Sequence, residues 1–320
     1  YTSRRWRRPL QWLAGTLLSS RPALAGGRRG SLVVTPPIPR AGDMVLLPGN
    51  QRIRLFDFGT QRTRVYAKEG FDNTLMVREI ALRAGDGVGP YPPILDHDSE
   101  GATWFEEPLL AGWCFARCPA GLDPTAAVER ALVDLETWST EGAHLVPVRG
   151  HVDGLLVRLR AGLETLAERF GHDVTEWAAW LSALEEQAGD GEVSVGPTHG
   201  DLQPGNIMVG EGAREATLVD WEHCKERMLP YDRLVLALGA RYQRDLARRL
   251  VDFVTGQPLP WLPPGSERGA EVAARSLLED LTFQVEEAAG GPYRQLTAGI
   301  LAREGVLRRL GPSLEALWRA

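Results

Sequence analysis

The hydrophobic pattern changes period once along this 320-residue chain, near residue 112, and that change constrains the fold more than any single residue does. Before it, short β-prone runs are set apart by turn residues. Met44 to Leu47 and Ile53 to Phe58 flank Pro48-Gly49-Asn50-Gln51, which reads as a hairpin turn. A second turn, Gly59 to Arg62, leads into Thr63 to Lys68, so three consecutive strands form an antiparallel meander. Ile94-Leu95 and Thr103 to Leu110 add two strands, and Asn73 reads as the cap of one inserted helix over Thr74 to Ala84. After Gly112 the period is helical. Pro124 to Trp138 follows a capping Asp123, and Val152, Leu155, Leu156, Leu159, Leu163, Leu166 and Phe170 recur at three- and four-residue steps. Helical patterns return at 174–188, 231–254, 269–288 and 293–309, interrupted only by 195–220 with its short apolar runs Ile207 to Val209 and Thr217 to Val219. The expected fold class is therefore α+β and bilobal: a small antiparallel five-strand N-lobe with one helix, and a larger, mainly helical C-lobe.

Charge divides the chain differently. Residues 1–42 hold eight Arg and no acidic residue; the remaining 28 basic side chains face 42 acidic ones, a body charge of −14. Such a body lacks the clustered cations that nucleic-acid phosphates require, so no nucleic-acid partner is expected. Three segments are expected: a basic N-terminal arm at 1–42, an N-lobe at 43–111 and a C-lobe at 112–320. Within 1–30 a basic start, a broken apolar stretch and Ala23-Leu24-Ala25 make a weak leader pattern; the arm reads as a surface arm or as a contact for a peripheral membrane or a protein. Three cysteines and no run of about 18 apolar residues point to a cytoplasmic, reducing setting. Arg outnumbers Lys 34 to 2, and Asn occurs three times, which draws notice to Lys68 and Asn206.

The polar residues of interest lie in the 195–220 interruption. Gly200, Pro204 and Gly205 force Thr198 to Asn206 into a loop that can project the Asp201 carboxylate. Asn206 precedes one short apolar run and Asp220 ends the next, offering an amide and a carboxylate oxygen. A carboxylate near an attacking hydroxyl, with a few oxygens for Mg²⁺, is the donor set that phosphoryl transfer from ATP requires.

His199-Gly200-Asp201-x-x-x-x-Asn206 and Asp220-Trp221-Glu222, in that order and spacing, resemble the paired signatures of the aminoglycoside phosphotransferase/choline kinase superfamily, which shares the protein-kinase-like fold. The resemblance covers about residues 44–255. It implies a kinase in which Asp201 is the catalytic base, Asn206 and Asp220 hold Mg²⁺, Lys68 grips the nucleotide phosphates with Glu79 as its partner, and backbone groups near Glu107 to Leu109 meet adenine. Gly49 and Asn50, in the first turn, take a phosphate-contacting position. His199 supports the loop, Glu222 stands in or behind the metal site, and Asp232 matches a position that braces the loop. Two departures separate the chain from protein kinases: the first turn is not Gly-x-Gly-x-x-Gly, and Gly200 stands where those enzymes carry Arg. With only seven residues between Glu222 and Pro230, no regulated activation segment fits, so a small-molecule hydroxyl acceptor is expected. The body charge favours a cationic one, held among the helices of 123–190 and those after 230. The competing readings are a nucleotide-binding scaffold without catalysis and a metal-dependent phosphoesterase using His199, Asp201, Asp220 and His223. Cys114-x-x-x-Cys118 lacks two further zinc ligands, while Glu185-Glu186 and the arginines of 241–249 read as solvated helix faces.

Overall fold

A computed structural model of the chain describes residues 43–49, 51–70, 72–84, 89–241, 245–291, 299–301 and 303–308. The basic arm and Asn50 lie outside the described residues. The described residues fall into two units, one of 43–70 with Ile94–Leu110, the other of the described residues in 72–93 and from Ala111 on.

The first unit is the expected five-strand antiparallel sheet. Its strands β1 (Met44–Pro48), β2 (Arg52–Asp57), β3 (Arg62–Ala67), β4 (Asp96–His97) and β5 (Trp104–Pro108) are ordered β1-β2-β3-β5-β4. The Asp57 carboxylate shapes the second turn by accepting the amides of Gly59 (2.8 Å) and Thr60 (3.0 Å). Val65 pairs with Phe105, and both side chains are fully buried, which places the unit's apolar face. Asp98 ties the β4–β5 turn through the amides of Gly101 and Thr103 and the Thr103 hydroxyl, and these bonds hold its carboxyl well below the usual range. The fourth strand falls at 96–97 rather than 94–95, although Leu95 still donates to the Glu106 carbonyl (2.7 Å).

The inserted helix α1 (Thr74–Arg83) goes with the helical unit instead of with 43–111. Its buried Glu79 and Arg83 pair at 2.5 Å, and Arg83 also donates twice to the Pro92 carbonyl (3.1 and 2.8 Å). Tyr91 then packs edge-on against Trp138 (5.9 Å) and Trp221 (5.3 Å), anchoring the whole segment. Asn73 makes no side-chain capping bond; Asp72 does that work by accepting the amide (2.9 Å) and hydroxyl (2.6 Å) of Thr74. The cap before α2 (Thr125–Glu141) is as expected, Asp123 accepting the Thr125 amide at 3.0 Å.

The core of the second unit is built on α3 (Val148–Phe170) and α7 (Ala270–Gly290), joined by α4 (Trp177–Gln187), α5 (Tyr231–Leu238) and α6 (Leu246–Val254). The six leucine and valine positions read at helical spacing from Val152 to Leu166 are all buried, each stabilising the fold by about 1.5–3 kcal/mol. The single pattern over 231–254 is two helices, because Gly239 turns left-handed at φ 62° and closes α5. Residues 299–301 and 303–308 are helical.

Two three-strand sheets punctuate the helices, and only part of them was expected. One is β6 (Trp113–Cys114) beside the hairpin of β9 (Ile207–Val209) and β10 (Ala216–Leu218). The other sets β8 (Glu192–Thr198) between β7 (His144–Pro147) and β11 (Lys225–Met228). Gly196 and Pro197 within β8 and the charges of β11 obscure their strand signal. Among the described residues no helix is long and apolar enough to cross a membrane.

Candidate active site

The loop 199–206 leaves β8 and enters β9, and the brace that shapes it comes from α5. Both carboxylate oxygens of Asp232 are taken, Oδ2 by the His199 amide (2.6 Å) and Oδ1 by the Gly200 amide (2.9 Å). Gly200 has φ 86°, and a Cβ there would lie 2.1 Å from the His223 carbonyl oxygen. That steric limit, not only the loss of a charge, explains why glycine stands where protein kinases carry Arg.

His199 is fully buried and spends both ring nitrogens on the backbone. Nε2 donates to the Val219 carbonyl (2.9 Å), and Nδ1 accepts the Asp201 amide (3.3 Å), with the ring 4.7 Å from that of Trp221. It ties the loop to the end of β10, and neither nitrogen is left for a metal, which removes a ligand the phosphoesterase reading needs. Among the described residues no three His, Cys, Asp or Glu side chains converge on a metal position.

Asp201 and Asn206 are brought together. Asn206 Nδ2 donates to the Asp201 carbonyl (2.9 Å) and to its Oδ2 (3.2 Å), while Gln203 Nε2 also donates to Oδ2 (2.9 Å). With its NH₂ spent, Asn206 presents its amide oxygen as a neutral ligand. Asp220 stands at the same end of the β9–β10 hairpin. Ile207 pairs with Leu218, the Val219 amide donates to the Asn206 carbonyl (2.9 Å), and Asp220 follows in a left-handed conformation, φ 72° and ψ 60°. A non-glycine residue held there is uncommon, and the hairpin's pairing on one side and the 3₁₀ turn Trp221–His223 on the other hold it. An amide oxygen and a carboxylate are hard oxygen donors of the kind Mg²⁺ takes, whereas structural zinc sites are built mainly on Cys and His.

Beside this site Glu222 lies 3.6 Å from His223, whose imidazole packs edge-on against Phe283 at 4.9 Å. Burial pushes the His223 pKa down; the charges of Glu287, Asp201 and Asp220 oppose the shift without cancelling it.

Arg241 is the residue that sequence reasoning missed. It is no solvated helix face: its side chain is buried and its Nε donates to Asp201 Oδ1 at 2.5 Å. A second nitrogen pairs with Asp280, a third donates to the Gly200 carbonyl (3.3 Å) and the Tyr231 hydroxyl (3.2 Å), and the guanidinium lies 4.4 Å over the Phe283 ring. Burial works against its charge, yet Tyr231, Asp280 and Asp201 outweigh that and hold its pKa well above the ordinary value. The signal that could have found it is Asp280, an acid between Leu278 and Leu281 on an apolar helix, where an unpaired charge would be costly.

The expected nucleotide contacts divide between the units. In the sheet unit Gly49 closes its turn through the Arg52 carbonyl (2.8 Å), and Lys68, one residue past β3, donates to the Gly49 carbonyl (2.6 Å). Glu107 pairs in register with Thr63, and Leu109 donates to the Gln61 carbonyl (2.9 Å). Glu106 is occupied by Arg62 and Arg64. Glu79, in the helical unit, is buried against Arg83.

Residues 117–259 match the model of the Phosphotransferase enzyme family, and no curated protein matches the chain by sequence. Among solved structures, a choline/ethanolamine kinase family protein from Mesorhizobium loti is 16% identical with a TM-score of 0.53, covering 97% of this chain and 99% of that one. The choline kinase LicA from Streptococcus pneumoniae is 14% identical with a TM-score of 0.50, covering 86% and 96%. A thermostable mutant of aminoglycoside phosphotransferase APH(4)-Ia, in ternary complex with AMP-PNP and hygromycin B, is 13% identical with a TM-score of 0.50, covering 87% and 93%. Residues 117–259 are thus similar to the Phosphotransferase enzyme family, and the chain shares the fold of these kinases and phosphotransferases.

Proposed function

We propose that this protein is an ATP- and Mg²⁺-dependent phosphotransferase that moves the γ-phosphate to a hydroxyl of a small molecule. The observation that carries the reading is the Asp201 carboxylate, fixed by Gln203, Asn206 and Arg241, in a loop that also presents the Asn206 oxygen. Asp201 receives the acceptor's proton as the O–H bond breaks. The freed oxygen forms a bond to the γ-phosphorus, the bond to the bridging oxygen breaks, and ADP leaves with that electron pair. Asn206 and Asp220 would hold Mg²⁺, which when bound neutralises charge on the phosphates. In the sheet unit, Lys68, Gly49, Asn50 and the backbone from Glu107 to Leu109 are assigned to the nucleotide on the strength of the family resemblance, as is Glu79 in the helical unit. Glu222 and His199 are supporting residues.

A cationic alcohol is the favoured acceptor. The body charge of −14 supports it, and so do relatives that include a choline kinase and a phosphotransferase bound to hygromycin B. The arginine-rich arm supports contact with an anionic surface, membrane or protein, and the free Cys114, Cys118 and Cys224 support a cytoplasmic setting.

The test is a screen of hydroxyl-bearing metabolites, amino alcohols and amino sugars for Mg²⁺-dependent ATP consumption, with Asp201→Asn in parallel. We expect at least one acceptor to be phosphorylated and Asp201→Asn to turn it over roughly 10²–10⁴-fold more slowly. Normal turnover by Asp201→Asn would reject the assignment, and Mg²⁺-dependent ATP binding with no transfer would favour a non-catalytic scaffold.

A further inference from the structure

Asp201, Arg241, Asp280 and Arg303 form a continuous chain of alternating charge that ends at the proposed base. Arg303 donates to Asp280 Oδ2 through Nε (2.9 Å) and to the Ala240 carbonyl through Nη2 (2.6 Å). Asp280 holds one nitrogen of Arg241, and Arg241 Nε holds Asp201 Oδ1. Two carboxylates and two guanidiniums cancel, so the cluster can be buried without an orphan charge. Burial pushes the Asp280 carboxyl up, but Arg303 and Arg241 outweigh it and keep the group below its ordinary value, ionised and available to grip Arg241.

A carboxylate offers about four lone-pair positions, two on each oxygen. Among the described residues Asp201 accepts three hydrogen bonds from side chains, two on Oδ2 from Gln203 and Asn206 and one on Oδ1 from Arg241. The position left for an incoming hydroxyl is therefore on Oδ1, beside the guanidinium. Arg241 is not poised as a mobile clamp for an anionic substrate, because Asp201, Asp280, Gly200, Tyr231 and the Phe283 ring all engage it.

Resting on the phosphotransferase reading, we propose that Arg241 is a positioning residue for that reaction: held from behind by Asp280 and Arg303, it fixes the Asp201 carboxylate so that the remaining lone pair of Oδ1 receives the acceptor hydroxyl. A lysine cannot reproduce the fork that joins Asp201 and Asp280 while also reaching Gly200.

The experiment compares wild type, Asp201→Asn, Arg241→Lys, Arg241→Ala and Asp280→Asn for phosphate release from Mg·ATP, with water as the acceptor and with any hydroxyl compound that supports turnover. Arg241→Ala should lose about 10²-fold in kcat, the scale of an ångström-sized misplacement, with KM for Mg·ATP unchanged. Ethylguanidinium added to Arg241→Ala should restore part of the loss. Arg241→Lys keeps the buried charge and the fold, which thermal melting and calorimetric Mg·ATP affinity would verify, yet should still be impaired in kcat. Asp280→Asn should fall between Arg241→Lys and wild type. Wild-type kcat in folded Arg241→Lys together with no rescue of Arg241→Ala would overturn the proposal. Unimpaired Asp201→Asn would instead reject the phosphotransferase reading, so the two failures are distinguishable.

Discussion

Gly200 and Asp232 set the active loop by different means, one by lacking a side chain and the other by spending its whole carboxylate on two amides. Gly200→Ala must place a Cβ at positive φ and 2.1 Å from the His223 oxygen, so it should cost about 1–3 kcal/mol or distort the loop. Urea unfolding and ATP turnover measured together should fall together. Asp232→Asn keeps one acceptor oxygen and turns an NH₂ toward a buried amide, a loss of about 1–3 kcal/mol. If its unfolding midpoint matched wild type, the brace would not be under load. The motif residues were legible because Gly200, Asp201, Asn206 and Asp220 are close in sequence. Arg241 and Asp280 were not, since their partners lie 40 residues apart or nearly so, and each by itself resembles a surface charge.

At the level of elements, α3 reaches α7 through Gly162, where a Cβ would sit 2.4 Å from Val285 Cγ1. Gly162→Val should force the two helices apart and cost about 1–3 kcal/mol through overpacking, read as a lowered Tm. An unchanged or raised Tm would mean that the interface relaxes freely. The helix itself was legible from its three- and four-residue apolar spacing, because burial of one face imposes that period. The split of 231–254 and the strand β8 were not. A left-handed Gly239 ends α5 without disturbing the apolar spacing across it, and β8 gains its partners only from β7 and β11, separated from it in sequence. Helix α1 was visible as a helix, yet its attachment depends on Tyr91 meeting Trp138 and Trp221.

For the molecule as a whole, buried acids that stay neutral set an alkaline limit on stability. Burial pushes the Cys224 thiol up to about 12 from its ordinary 9.0, and the Tyr231 phenol up to about 12 from 10.0. Above the ordinary values the unfolded chain releases protons that the folded chain keeps. The contribution of these groups is therefore intact below about pH 9 and is lost as pH rises toward 12, at about 1.4 kcal/mol per unit for each fully resisting group. Cys224→Ala should flatten the fall in urea midpoint above about pH 9; identical pH dependence in the two proteins would show that the thiol is not held neutral.

Local pattern sufficed for the two-part α+β architecture, the sheet meander, the amphipathic helices and the loop that holds Asp201 and Asn206 together. Each of these is written in neighbouring residues, through period, turn chemistry or motif spacing. The tertiary structure alone decided what lies behind Asp201: a buried, charge-balanced chain through Arg241, Asp280 and Arg303. Charge pairing at that range depends on which side chains folding removes from water together, and no local spacing records it.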